Sequence, residues 1–494
     1  MTSVTPKKKM QLNFYEVSCT GVPNAIGQWK TKDRLDYYVW LAKIAEKGKV
    51  SCVFFADGYG ELEVYKGSAD AQYKGGNHVA KLEPTLLVAA MATATKSVGF
   101  GITGSTSYIA PYHLARNWST LDHITNGRIA WNIVTSFSLS SAKVFGLDNL
   151  LPHDERYIAA EEYMDIVYQL WEKSWEDGVQ TWQAEPEMAY DPSKIHKVEY
   201  KGKYFKFSGH GPTHPSPQRT PLIFQAGASK AGIKFGGKHA EAIFCAYNTI
   251  PECKAYTETV RAAAAAEGRD PQSIKFFLGA MLFIGRTQEE AEAKYEAARK
   301  LVSIEGGLAR CSGLANIDLS LYPIDEPLKF NGDIKENAIH GFINNMQYLG
   351  DKDKITPRDL GELLAFGGLG PRPIGTPEKV ADELEKWMVE GDIDGFNLSR
   401  ESHFTDTYYL TVETLRLSLT VSNPGSWEDV VELLVPELQR RGLYWEDYPV
   451  AGGTLRENMN SMPGKPYLSK DHPGSKIQLN FPSLNGDKAA KQQQ

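Results

Sequence analysis

The sequence predicts an α/β protein, a (β/α)8 barrel with insertions at its carboxyl face. Apolar runs suited to strands buried on both faces alternate about eight times with helical patterns. Several of those runs end in short polar groups, the arrangement by which successive strand ends build one site. No Gly-x-Gly-x-x-Gly follows the first run, so a closed barrel is favoured over a dinucleotide-binding sheet.

Residues 10–18 read as the first strand, followed by a Gly/Pro-bearing loop. A helix over 33–47 places Leu35, Tyr38, Val39 and Ala42 on one face, and Gly48 is placed to end it. Strand 50–56 is apolar until it reaches Asp57-Gly58. Helix 84–96, strand 98–107 and helix 111–123 follow, the last with Pro111 in its first turn. Asn126-Gly127 turns into strand 128–136. Tyr163, Ile166, Val167 and Leu170 stripe a helix over 155–171. The beat resumes with strand 221–228, a helix to 238, strand 242–246 and helix 251–267, which Gly268 ends. Strand 274–285 leads to a helix at Thr287, where Thr287 and Glu290 match a capping box. The alternation breaks over about 303–373, read as an insertion above the site. Helix 376–391, strand 395–399 and helix 428–442 complete a single barrel domain over 1–462. Residues 463–494 read as an extended polar tail.

Composition narrows the function. A net charge of -7 gives no electrostatic footprint for nucleic acid, and Lys7-Lys8-Lys9 is too short to supply one. Five scattered cysteines lack the spacing of a zinc or redox motif, and read as free thiols in a reducing compartment. Cys52 and Cys245, within apolar runs, are expected in the core. The first residues lack the apolar stretch of a secretory signal, and nothing approaches the roughly 20 apolar residues of a membrane span. A cytoplasmic protein is expected.

Asp57, after four apolar residues, is either a cavity-facing carboxylate or an Asx turn with Gly58. Thr103, Thr135 and Ser136 are polar strand ends, although threonine is itself a good strand former. Ser229 stands where strand turns to helix, ahead of Lys230-Ala231-Gly232. It reads equally as a phosphate-binding hydroxyl and as an ordinary N-cap. His153 and Tyr157, four apart, share one face of a helix start. His113, beside Pro111-Tyr112, is a candidate for proton transfer weighed against core packing. The histidines form no His-Glu-x-x-His, and no Gly-x-Ser-x-Gly elbow occurs. Hydroxyls and aromatics with few acid–base groups fit a site whose cofactor does the difficult chemistry.

Taken in order and spacing, these segments resemble the luciferase-like flavin-dependent monooxygenases. The branch with nitrilotriacetate monooxygenase, dibenzothiophene sulfone monooxygenase and the pristinamycin IIA synthase subunit is nearest. The motifs are Phe55-Ala56-Asp57-Gly58, Glu83-Pro84, Pro111-Tyr112-His113-Leu114-Ala115-Arg116 and Leu121-Asp122-His123-Ile124-Thr125-Asn126-Gly127-Arg128. Trp131-Asn132-Ile133-Val134-Thr135-Ser136, His153-Asp154-Glu155-Arg156-Tyr157 and Phe224-Gln225-Ala226-Gly227-Ala228-Ser229 follow. Gly268-Arg269-Asp270-Pro271 and Gly453-Thr454-Leu455-Arg456-Glu457-Asn458 complete the set, which spans about 10–460.

The resemblance implies FMN contacts at Asp57, Thr103, His153, Tyr157 and Ser229, with Tyr157 and Ser229 toward the phosphate. Val134, Thr135, Ser136 and Ala228 are implied lining residues. It also implies reduced FMN delivered by a separate NAD(P)H:flavin reductase, O2 as co-substrate, and a C4a-peroxyflavin that oxygenates a small nitrogen- or sulfur-bearing molecule. A homodimer is implied, with helices near 86–94 and 111–123 as interface candidates. Two departures stand out. Relatives often carry Gly-Ala-Trp-Arg where this chain has Gly27-Gln28-Trp29-Lys30, and Gly104 is expected to give the flavin edge room. The alternatives are a non-catalytic flavin-binding barrel, a deazaflavin- or nicotinamide-dependent reductase, and a carboxylate hydrolase using Asp57.

Overall fold

A computed structural model describes residues 8–19, 33–76, 78–328, 355–399 and 426–478. Eight parallel strands close a barrel in chain order: β1 (Gln11–Glu16), β2 (Cys52–Phe55), β3 (Gly99–Ser105), β4 (Ile129–Val134), β5 (Leu222–Gln225), β6 (Ala242–Cys245), β7 (Lys275–Met281) and β8 (Gly395–Ser399). β8 closes on β1 with Gln11 opposite Gly395. The expected fold class is therefore the observed one.

Side-chain alternation along each strand builds two cores. Val53, Phe55, Phe100 and Ile102 face the surrounding helices, while Cys52, Phe54, Ala130, Phe224 and Phe277 fill the interior. Continuous apolar runs are what such doubly buried strands require. Gly101 admits the Phe54 ring, since a Cβ there would stand 3.1 Å from Phe54 Cδ2.

The barrel floor is supplied from far along the chain. A helix at Leu455–Asn460, opened by a reciprocal capping box between Thr454 and Glu457, pushes Leu455 and Met459 into the interior. Gln11 Nε2 donates to the Met459 carbonyl at 2.8 Å. Arg456 donates twice to the Glu241 carboxylate, at 2.6 and 2.9 Å, and also to the carbonyls of Thr220 and Pro466.

Several expectations change in detail. The run 274–285 splits, because after Met281 the backbone leaves the barrel. Phe283–Ile284 then pairs in parallel with Ile374–Gly375 instead. Thr287 caps its helix, but the Glu290 carboxylate takes the Arg286 N–H rather than completing the box. Two antiparallel hairpins, Gln180–Gln183 with Met188–Tyr190 and Val198–Lys201 with Lys206–Gly209, occupy a stretch the periodicity left unassigned. The segment from 463, expected as an extended tail, contains the short helix Pro473–Gln478. His472 before it is buried against the His239 carbonyl at 2.9 Å. All five cysteines are buried and unpaired by disulfides. Among the described residues no helix is long and apolar enough to cross a membrane.

In the stretch read as an insertion, helices Ile304–Ala315 and Pro357–Ala365 pack through Leu308, Cys311, Leu360 and Leu364. Their backbones touch at glycine: a Cβ on Gly307 would stand 1.8 Å from the Gly361 carbonyl. This pair lies over the carboxyl end of the barrel.

Candidate active site

A two-lobed cavity opens at the carboxyl ends of the strands. One lobe, about 390 Å³, is bounded by the ends of β2, β4 and β5 and by the start of the helix His153–Tyr168. The other, about 330 Å³, lies beyond the ends of β6 and β7, under the segment 366–372 that follows the inserted helices. Tyr15, Ala226, Ala228, Arg310 and Leu314 belong to both walls.

In the larger lobe, Asp57 follows directly from β2. Burial pushes its carboxyl up to about 6, against the pull of the Gly58 N–H and of Lys81. Lys81 is held there by the carbonyls of Gly58 and Gly60, at 2.7 and 3.2 Å. After β4 the chain turns sharply at Ser136, which adopts φ +52°, and its hydroxyl lies 2.9 Å from Ser105 Oγ. Asp154 and Glu155 favour a helix start beside them, which projects His153 and Tyr157 one turn apart, ring centroids 5.3 Å apart.

β5 ends in Gln225, and the chain then passes through Gly227 into the helix Lys230–His239. Ser229 caps that helix by accepting from the Gly232 N–H at 3.1 Å. A Cβ on Gly232 would stand 2.8 Å from the Tyr157 hydroxyl and 2.9 Å from Gly227 Cα. Glycine alone lets strand end, helix start and tyrosine converge. Burial raises the Tyr157 phenol, while hydrogen bonding with Ser229 and Thr135 moderates the rise. Three hydroxyls and a helix N-terminus gathered around one lobe end make a cradle whose chemistry fits a phosphate monoester, and hence FMN.

Eight of the residues expected around the cofactor line this one lobe: Asp57, Val134, Thr135, Ser136, His153, Tyr157, Ala228 and Ser229. Thr103 does not line it. Its hydroxyl donates to the Phe55 carbonyl at 3.0 Å and accepts from Asn132 at 2.9 Å, inside the barrel wall. His113 is also elsewhere. It lies exposed on the outer helix Pro111–Ile124, beside Asn117, because Leu114, Trp118 and Leu121 take the buried stripe. Gly104 makes room on the opposite side from that expected. A Cβ there would meet Trp131 Nε1 at 2.7 Å and Trp118 at 2.8 Å, not a flavin. Gly27 to Lys30 lie outside the described residues.

Tyr15 and Arg310 were not anticipated. Tyr15 carried no signal beyond strand parity. Arg310 did: it is the one charged side chain in the helix interior Gly306-Gly307-Leu308-Ala309-Arg310-Cys311-Ser312-Gly313, otherwise small or apolar.

Known proteins match this description closely. A dimethyl-sulfide monooxygenase from Hyphomicrobium sulfonivorans is 38% identical over 460 residues, covering 92% of this chain and 90% of that protein. A long-chain alkane monooxygenase from Geobacillus thermodenitrificans is 38% identical over 473 residues, covering 94% and 97%. The crystal structure of DmoA from H. sulfonivorans superposes with a TM-score of 0.83 at 36% identity, covering 95% of this chain and 96% of that one. The dibenzothiophene-sulfone, nitrilotriacetate and pristinamycin IIA relatives, on which the sequence resemblance drew, also match, at 32%, 35% and 31% identity. The profile of the family described as luciferase-like monooxygenase covers residues 16–394, so with barrel and cavity in agreement the chain belongs to that family and is a flavin-dependent monooxygenase.

Proposed function

We propose that this chain is the oxygenase of a two-component system, taking reduced FMN from a separate NAD(P)H:flavin reductase and oxygenating a small organic molecule with O2. The convergence of Ser229, Tyr157, Thr135 and the helix start at one end of a cavity that continues into a second lobe carries the reading. Bound reduced FMN supplies the electrons and the reactive centre toward O2. The chain's own groups hold the phosphate, and the inserted helices cover the strand ends with Leu314, Leu364 and Phe366, excluding water. Asp57, its carboxyl raised to about 6, holds or releases a proton at Oδ near neutral pH.

Relatives are named for dimethyl sulfide, N-acetyl-S-(2-succino)cysteine and nitrilotriacetate, so a sulfur- or nitrogen-bearing substrate is the class proposed here. Five cysteines with no disulfide among them favour the cytoplasm, where NAD(P)H is at hand. A homodimer joined through the face around the exposed Leu86 completes the proposal.

The test is an anaerobic titration with photoreduced FMN, followed by isotopically labelled dioxygen and a panel of thioethers and amines. Tight binding of reduced FMN and transfer of label to one member support the function; reoxidation at the rate of free FMN with no labelled product sinks it. Ser229→Ala is expected to weaken reduced FMN by about 1–2 kcal/mol through one lost charge-assisted hydrogen bond. Unchanged affinity would remove Ser229 from the phosphate site.

A further inference from the structure

The smaller lobe carries two guanidinium groups and, among the described residues lining it, no aspartate or glutamate. Arg310 reaches it from the inserted helix Ile304–Ala315, where the two lobes meet. Among the described residues Arg310 has neither a hydrogen bond nor an ion pair; its electrostatic neighbours are Tyr15 and Cys19. Arg372 enters from the far side. Its guanidinium lies 4.9 Å from the Phe366 ring centroid, donates to the Phe366 carbonyl at 3.4 Å, and has the Tyr295 hydroxyl and the Glu362 carboxylate as electrostatic neighbours. Its buried Nε has no hydrogen-bond partner among the described residues.

Removing a cation from water without an opposing charge is costly, so such a group is ordinarily paired. Among the described residues no carboxylate faces the half-buried Arg310, whereas Glu241 answers the buried Arg456. The FMN phosphate is accounted for at the other end of the larger lobe, by Ser229 and Tyr157. An anionic group entering the smaller lobe would meet Arg310 directly. Its remaining wall is apolar and aromatic: Phe244, Tyr247, Tyr256 and Met281.

We infer that the substrate is an organic acid with an apolar or aromatic body, its anionic group bound by Arg310 and Arg372 and its body laid against the Phe244–Tyr256 wall. This rests on the monooxygenase reading above and narrows its substrate class. A neutral sulfide or alkane would leave Arg310 without an answering group among the described residues. Arg310, at the junction of the lobes, sets the distance between the acid group and the carbon, nitrogen or sulfur presented to the flavin side.

Calorimetric titration of the FMN-loaded protein with 3-phenylpropionate and benzylthioacetate, each beside its uncharged primary amide, tests it. Each acid is expected to bind at least about tenfold more tightly than its amide, the effect of a charge-assisted pair over a neutral one. Arg310→Gln is expected to abolish that preference, and Arg310→Lys to restore part of it. Arg372→Gln gives a second, independent reading. Equal binding of acid and amide to the unaltered protein, failure of both acids at millimolar concentration, or a preference that survives both glutamine variants overturns the inference. Loading with photoreduced FMN under nitrogen is measured first, so the two layers separate: a protein that loads reduced FMN yet shows no acid preference sinks this inference alone, and one that does not load it sinks both.

Discussion

Arg456→Met is expected to lower stability by about 3–5 kcal/mol, read as a shift in the midpoint of urea unfolding. Arg456 is 2% exposed and makes a two-pronged contact with a Glu241 carboxylate that is itself 9% exposed. Removing the guanidinium leaves Glu241 charged in the barrel floor, the Ile223 N–H at 3.1 Å being the one remaining hydrogen bond to its carboxylate among the described residues. It also frees the carbonyls of Thr220 and Pro466. The loss therefore far exceeds that of an exposed ion pair. Adding Glu241→Gln to Arg456→Met should recover part of it, because the uncompensated charge is then gone. A single variant that loses less than about 1 kcal/mol would show that the floor does not depend on this pair.

Asp57→Asn is expected to change stability in a pH-dependent way and activity in the opposite sense. Burial raises the carboxyl to about 6 in the folded protein, against about 3.9 when unfolded. Between those values the folded state holds the proton that the unfolded state has released. Stability therefore falls as pH rises from about 4 to 6 and is level above that window. Asparagine carries no such loss. The variant should match the original protein at pH 4 and exceed it by about 2 kcal/mol at pH 8, after allowance for water at the open cavity. Thermal unfolding of flavin-free protein at the two pH values measures this. Turnover near neutral pH should drop at least about tenfold if Asp57 holds or moves a proton beside the flavin. A stability difference that is the same at both pH values would contradict the raised carboxyl.

The sequence made the barrel legible because its strands are buried on both faces and so cannot hide their composition. It made most of the larger lobe legible for a related reason: a polar group straight after an apolar run has few places to go but the strand end. Thr103 departs from that logic: it shares the inward parity of Gly101, but its hydroxyl is taken up by the Phe55 carbonyl and by Asn132. His113 was recoverable in principle. Leu114, Trp118 and Leu121 define the buried stripe, and residue 113 falls off it. Other motifs that carried the resemblance turn out to hold the scaffold. Arg128 binds the carbonyls of Ala92, Thr95, Val98 and Thr125, Asp122 receives Gln218 twice, and Arg269 ties Gly237 to Ala240. The smaller lobe was illegible because its wall is gathered from β1, β5, β6, β7 and the inserted helices, with no local pattern to announce it.

The helix that seats Leu455 and Met459 under the barrel lies more than fifty residues beyond the last strand. During synthesis the eight strands all leave the ribosome before the piece that stoppers them. Until residue 460 emerges, the nascent barrel has an open lower end, with Phe54, Phe224 and Phe277 facing an unfilled interior. A chain cut short before Thr454 would carry every residue of the flavin lobe and still lack a closed core. Messages truncated there should yield aggregates cleared by proteases rather than a weakened enzyme.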